Sequence, residues 1–204
     1  MKIIFNRSEK EILKGCIKGD RSAQEQLYRR YTKKMYGVCL GYAKTTEDAN
    51  DLLQEGFIKV FQNIKKCNGS GSLEGWVRRV FVNNCIDVYR SSVNKNDFVE
   101  FADHLITSNS WHIGNEAYKT LDNEDFLKIT KRLPEGYKMV LNLYFVEDYT
   151  HEDIGKRLGV SIGTSKSQLA KAKKHLRKVL DKYIDRELLE TYQKFERRKL
   201  ERVV

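Results

Sequence analysis

Proline is nearly absent from this 204-residue chain: Pro134 is the only one. Helix-forming residues dominate on both sides of it, so an all-α protein is expected. No apolar run approaches the roughly 20 residues that span a bilayer, and the N-terminus lacks a signal-peptide pattern. A cytoplasmic protein with no direct membrane insertion is expected. Cysteine is sparse and scattered: Cys16, Cys39, Cys67 and Cys85 form no CxxC and no Cys/His cluster. They read as reduced thiols, mostly core filler. The four histidines, His104, His112, His151 and His175, show no ligand spacing, so neither a metal nor a cofactor is expected. Acidic charge is also in deficit. With 38 Lys and Arg against 28 Asp and Glu, the net charge is +10, which calls for an anionic partner, nucleic acid above membrane.

The chain is organised around residues 150–180, THEDIGKRLGVSIGTSKSQLAKAKKHLRKVL. Thr150 with Asp153 makes a helix start, Ile154 and Leu158 share one apolar face, and Gly159 stops the helix. Ser161 can cap a second, longer helix in which Ile162, Leu169, Ala172, Leu176 and Leu180 recur at helical spacing. This is a helix-turn-helix pattern. At 100° per residue, Thr164, Ser167, Lys171, Lys174 and Lys178 fall opposite that stripe, with Lys166, Lys173 and Arg177 flanking. Small hydrogen-bonding side chains lead and cations follow, which suits base edges first and phosphates after. A solvated basic face needs only the lysines; the glycine turn and the small residues at the tip make the DNA-reading helix the better account.

Upstream, Ile12, Leu13 and Ile17 mark a short amphipathic piece. A helix from Asp20 carries Ala23, Leu27, Tyr31, Met35, Val38 and Tyr42 along one side. Next comes a helix from Thr45 or Thr46 that turns Ala49, Leu52, Leu53, Phe57, Val60, Phe61 and Ile64 inward. Outward it shows an acidic stripe, Asp48, Asp51 and Glu55, with Glu47 and Gln54 beside it. Such a patch is ordinarily plain solubility. On a basic chain it points instead to docking on a basic protein surface. Lys65 to Ser72 form a polar loop that does not match a phosphate-binding GxxxxGK[ST] motif. After it, Leu73 to Arg90 read as a helix that mixes Trp76 with Arg78, Arg79 and Asn83. These are ingredients of a site for an unstacked base, with a core-anchor role for Trp76 weighed equally. Residues 91–120 lose periodicity and gain Ser, Asn and Asp. Helical pattern resumes from Leu121 to Leu133, and Pro134 opens a helix whose Val140, Leu141, Tyr144 and Phe145 face inward.

In combination, GDRSAQEQLYRRY, EDANDLLQEGFIKVF, LEGWVRRVFVNNCIDVYR and LPEGYKMVLNLYFVEDYTHEDIGKRLGVSIGTSKSQLAKAK resemble a sigma factor of bacterial RNA polymerase, of the extracytoplasmic-function (ECF) group of the sigma-70 family. The resemblance covers roughly residues 19–92 and 121–180. It implies two small helical domains: region 2 over residues 1–92, a linker over 93–120, region 4 over 121–182 and a helical tail over 183–204. It implies that Asp48, Asp51, Gln54 and Glu55 dock on the clamp helices of the RNA polymerase core. Lys65, Lys66, Trp76, Arg78, Arg79 and Asn83 would open and hold the minus-10 element of promoter DNA. Thr164, Lys166, Ser167, Gln168, Lys171 and Lys174 would read the minus-35 element. An anti-sigma protein is an implied further partner. Val82 and Ala170 depart from the family pattern, where a basic and a bulkier residue are common.

The implied function is a promoter-specificity subunit that is not itself an enzyme. Its rival is a self-standing helix-turn-helix regulator that never touches core polymerase; such a protein needs neither the acidic stripe nor the tryptophan-basic helix. A recombinase with a helix-turn-helix tail would need a nucleophile or a metal-binding carboxylate cluster. Asp48, Asp51 and Glu55 lie on one outward face without histidine support.

Overall fold

The computed structural model describes residues 7–92 and 133–183. The expected linker over 93–120, the helix expected between Leu121 and Leu133 up to residue 132, and the tail beyond 183 lie outside the described residues. Within them the secondary structure is helical: α1 (Glu9–Ile17), α2 (Arg21–Tyr42), α3 (Thr46–Asn63) with a 3-10 turn (Ile64–Lys66), α4 (Leu73–Ser92), α5 (Glu135–Phe145), α6 (His151–Leu158) and α7 (Ile162–Tyr183).

Local chemistry sets most of the helix starts. Ser8 and Glu11 close a capping box on α1, Asp20 accepts from Ser22 N–H ahead of α2, and Thr45 and Asp48 close a second box on α3. Each satisfies N–H groups that the first helical turn leaves without partners. Pro134 stands one place earlier than expected, as the N-cap of α5 with no side-chain cap. The α2 and α3 stripes close inward as the periodicity predicts, with Ala23, Leu27, Tyr31, Met35 and Val38 facing Ala49, Leu52, Leu53, Phe57 and Val60. In α1 the inward pair is Ile12 and Cys16, whereas Ile17 is 37% exposed. All four cysteines are free and buried, in keeping with their role as small core residues.

Helices α1 to α4 form one bundle, and α5 to α7 form a second, compact unit; the buried apolar side chains run without interruption from one to the other. Gly56 lets α4 approach α3: a Cβ there would lie 2.2 Å from the Phe81 ring, which is itself fully buried and edge-on to Phe57. A small residue in the middle of an apolar face was the sequence signal for that crossing.

Gly56→Ala is expected to destabilise the first bundle by about 1–3 kcal/mol through overpacking against Phe81. A chemical-denaturation midpoint equal to wild type would show that Phe81 yields at no cost.

Candidate nucleic-acid interface and docking surface

The helix-turn-helix is built as its sequence implies. Thr150 Oγ1 accepts from Asp153 N–H and donates to its carboxylate at 2.6 Å, which holds the Asp153 pKa below the usual value. Gly159 ends α6 in the left-handed region at φ 73°, where a β-carbon is strained. One turn earlier, a Cβ on Gly155 would lie 2.8 Å from the Val160 carbonyl oxygen, so the turn folds back directly over α6. Ser161 Oγ accepts from Thr164 N–H at 3.0 Å and starts α7. Beneath, Ser165 is fully buried and its hydroxyl meets His151 Nδ1 at 3.0 Å, while the imidazole stacks on Tyr144. Burial pushes the His151 pKa down from 6.5, and the charges of Lys166 and Lys173 push the same way, so the ring is held neutral.

The outer face of α7 differs in detail from the helical-wheel expectation. Lys166, Ala170, Lys174, Arg177 and Lys178 are exposed, whereas Thr164, Ser167 and Lys171 are half-buried along its edge. Lys166, expected at the edge, is therefore among the most accessible residues. Ile162, expected inward, is 47% exposed. Gln168 is the largest departure. It is only 4% exposed and its Oε1 has no hydrogen-bond partner. Its terminal amide sits close to Gly136 of α5, near which the Tyr89 hydroxyl of α4 also lies. Both α5 and α6 pack on α7, which widens the buried arc beyond the apolar stripe to take in Ser165 and Gln168.

In the first bundle Asp48, Asp51, Gln54 and Glu55 form an exposed stripe on α3, with Asp48 also serving the α3 capping box. Lys65, Lys66 and Arg79 are exposed, and Trp76 is half-buried against the core. Val82, where a basic residue is common in the resembled family, is buried. Arg78 and Asn83 are both engaged by the second unit. Arg78 donates from Nε and Nη2 to the two carboxylate oxygens of Glu147, at 3.0 and 2.7 Å. Burial works against the Arg78 charge, but the hydrogen bonds and charge of Glu147 outweigh it and raise its pKa. Asn83 Oδ1 accepts from Arg157 of α6 at 2.7 Å, and the same guanidinium lies 4.4 Å above the Tyr149 ring. Among the described residues no cluster of His, Cys, Asp and Glu could hold a metal ion, and no helix is long and apolar enough to cross a membrane.

The two units, four helices carrying an acidic stripe and a tryptophan-basic helix followed by a helix-turn-helix, correspond to two matched family models: Sigma-70 region 2 over residues 27–94 and Sigma-70, region 4 over residues 123–176. The chain belongs to the sigma-70 family. Its relatives include ECF RNA polymerase sigma factor SigM of Mycobacterium tuberculosis (strain ATCC 25618 / H37Rv), 27% identical over 177 residues that cover 85% of each chain. ECF RNA polymerase sigma factor SigW of Bacillus subtilis is also 27% identical, over 84% of this chain and 96% of its own. The described fold is thus all-α, with the region 2 match running from within α2 through α4 and the region 4 match taking in α5, α6 and most of α7.

Because His151 is held neutral in the fold, the second unit loses stability as pH falls from 6.5 through the lowered pKa, where the unfolded chain takes up a proton that the folded chain resists. Thermal melts between pH 7.5 and 5.5 are expected to fall more steeply for wild type than for His151→Gln. Parallel curves would remove His151 from the acid response.

Proposed function

We propose that this sigma-70 factor of the ECF group is the promoter-specificity subunit of RNA polymerase, which joins the core enzyme, recognises the minus-10 and minus-35 elements and assists strand opening. The observation that carries this reading is the presence in one chain, in family order, of region 2 with its acidic helix face and region 4 with its basic second helix. A regulator that works without core has no use for the first. The chain supplies binding energy and the polymerase supplies the chemistry, so it is not an enzyme, and it acts in the cytoplasm where core and chromosome meet. An anti-sigma protein as regulatory partner belongs to the same proposal.

The division of labour follows from side-chain chemistry. Asp48, Asp51, Gln54 and Glu55 offer carboxylates and an amide to a basic helical surface, the clamp helices of core, where complementary charge steers and registers docking. Lys65, Lys66 and Arg79 bring cations to the displaced strand, Trp76 gives a flat partner for an unstacked base, and Arg78 and Asn83 give hydrogen bonds to its phosphate and edge. On α7, Lys166 and Lys174 are placed for phosphate, while Thr164, Ser167 and Lys171 read bases from the flank, and Gln168, expected among them, is buried against α5. The same proposal takes region 2 as residues 1–92, a linker as 93–120, region 4 as 121–182 and a tail as 183–204.

The experiment is run-off transcription with purified core, chain and a library of promoter fragments. Starts that depend on the chain and share a pair of elements are the expected result. DNA binding with no chain-dependent start would favour the self-standing regulator. In the same system Asp51→Arg with Glu55→Arg is expected to abolish co-purification with core while leaving helix content unchanged; normal co-purification would discard the docking stripe. Lys174→Ala is expected to lower the salt slope of promoter binding by about 0.9 if it contacts one phosphate. An unchanged slope takes it out of the interface.

A further inference from the structure

Helix α1 lies ahead of the region 2 match, which begins at residue 27 within α2, so the family likeness gives it no task. Its seat on α2 is close. A Cβ on Gly15 would lie 2.5 Å from the Cβ of Ala23, Ile12 and Cys16 are buried, and Arg7 pairs with Asp20 at 2.7 Å across the turn between the helices. A helix packed at that distance has little room to shift.

From this seat α1 meets both ends of the loop proposed to act at the minus-10 element. At the near end the 3-10 turn packs on α1, with Ile64 and then Cys67 buried. At the far end Glu9, half-buried, reaches the start of α4: its Oε2 accepts from Leu73 N–H at 3.2 Å, and its Oε1 accepts from the Tyr31 hydroxyl at 2.8 Å. The Leu73 N–H is one that the first helical turn leaves without a partner, and Ser72 Oγ takes that of Gly75 at 3.0 Å. Glu9 thus caps a helix whose first residue stands 64 places further along the chain, and it sets a carboxylate at the positive end of that helix dipole. Between the two ends, Asn68 to Ser72 are exposed. Ser70 donates to Asn68 Oδ1 from both N–H and Oγ, and Gly69 adopts φ 70° with Leu13 of α1 beside it, 4.0 Å from where a Cβ would stand.

We propose that Glu9 is a positioning residue for strand opening: it fixes the junction of the loop with α4, and through it the pose in which Trp76, one turn further on, receives an unstacked base. The consequence at DNA rests on the sigma reading, whereas the cap itself does not. A loop whose exit is already fixed gives up less conformational freedom on closing around a base than one whose exit can swing, so the opened strand is held more tightly without any new contact. Tyr31, 1% exposed, keeps the carboxylate in place. Burial, and then the hydrogen bond and charge of Glu9, push the Tyr31 pKa up, so its hydroxyl stays a donor.

The test uses the full chain as wild type, Glu9→Ala and Glu9→Gln. Amide hydrogen exchange at Leu73, followed by NMR on the chain alone, reads the cap. Run-off transcription with core polymerase reads strand opening, on a promoter fragment recovered from the library, once as duplex and once with its minus-10 segment pre-melted by mismatches. Glu9→Ala is expected to speed Leu73 exchange about tenfold and to cut starts on the duplex about tenfold, with the pre-melted template within about twofold of wild type. Glu9→Gln can still accept from Leu73 N–H through its amide oxygen and donate to the Tyr31 oxygen, so it is expected to restore both readings. If Glu9→Ala fails to fold because the Tyr31 hydroxyl is orphaned, Glu9→Met with Tyr31→Phe removes both partners and takes its place. Unchanged Leu73 exchange overturns the cap. Equal losses on the two templates reduce Glu9 to a stabilising residue and overturn the positioning role, as does a Glu9→Gln chain no better than Glu9→Ala. A library with no chain-dependent start overturns the sigma reading and this role with it, while Leu73 exchange still decides whether Glu9 caps α4.

Discussion

The ammonium of Lys138 seated on the last carbonyls of α2 is the contact on which the arrangement of the two regions depends. An ammonium group is costly to bury without partners. The carbonyls at a helix end are equally in need of donors. Each deficit answers the other, and the answer fixes where α5 lies relative to α2. With that point set, Asn142 falls on Gly41, Glu147 on Arg78 and Arg157 on Asn83, so the polar contacts along α4 follow from one anchor. Apolar packing between the units adds area, and the polar set gives it orientation.

The helices were legible in the sequence because their causes are local. Asp20, Thr45 and Thr150 cap within three residues of themselves, Gly159 ends α6 by its own backbone freedom, and the stripes of α2 and α3 repeat at the helical period. The family motifs were legible for the same reason, being contiguous runs. The interface was not legible. Lys138 and Asn142 stand in α5 as polar residues beside an apolar stripe, and a wheel assigns them to water; their partners lie 95 to 101 residues away along the chain. Gln168 follows the same logic, since its burial depends on α5 covering a part of α7 that the α6 contact alone leaves open. Arg78 and Asn83 were singled out as functional candidates on α4, but nothing nearby in sequence announces Glu147 or Arg157 as their counterparts.

The docking stripe and the basic helix also show how opposite charges divide a chain with net charge +10. Carboxylates concentrate on the outer face of α3, and cations on the outer face of α7. With both signs of charge present on each unit, region 4 can lay a carboxylate on region 2 at Arg78.

Of two buried polar atoms without a hydrogen bond, Oε1 of Gln168 and the hydroxyl of Tyr42, the second bears on how firmly that hold can be kept. A buried polar atom without a hydrogen bond costs about 1–3 kcal/mol; Tyr42 lies beside Glu147 of the second unit, so water would reach its hydroxyl if the units parted, whereas Gln168 is covered by α5 of its own unit. The closed arrangement thus carries a defect that the parted one lacks, and the gap between the two populations is narrowed accordingly. A partner with only modest preference for the parted form then suffices to redistribute the ensemble, because each 1.4 kcal/mol of differential affinity shifts the ratio tenfold.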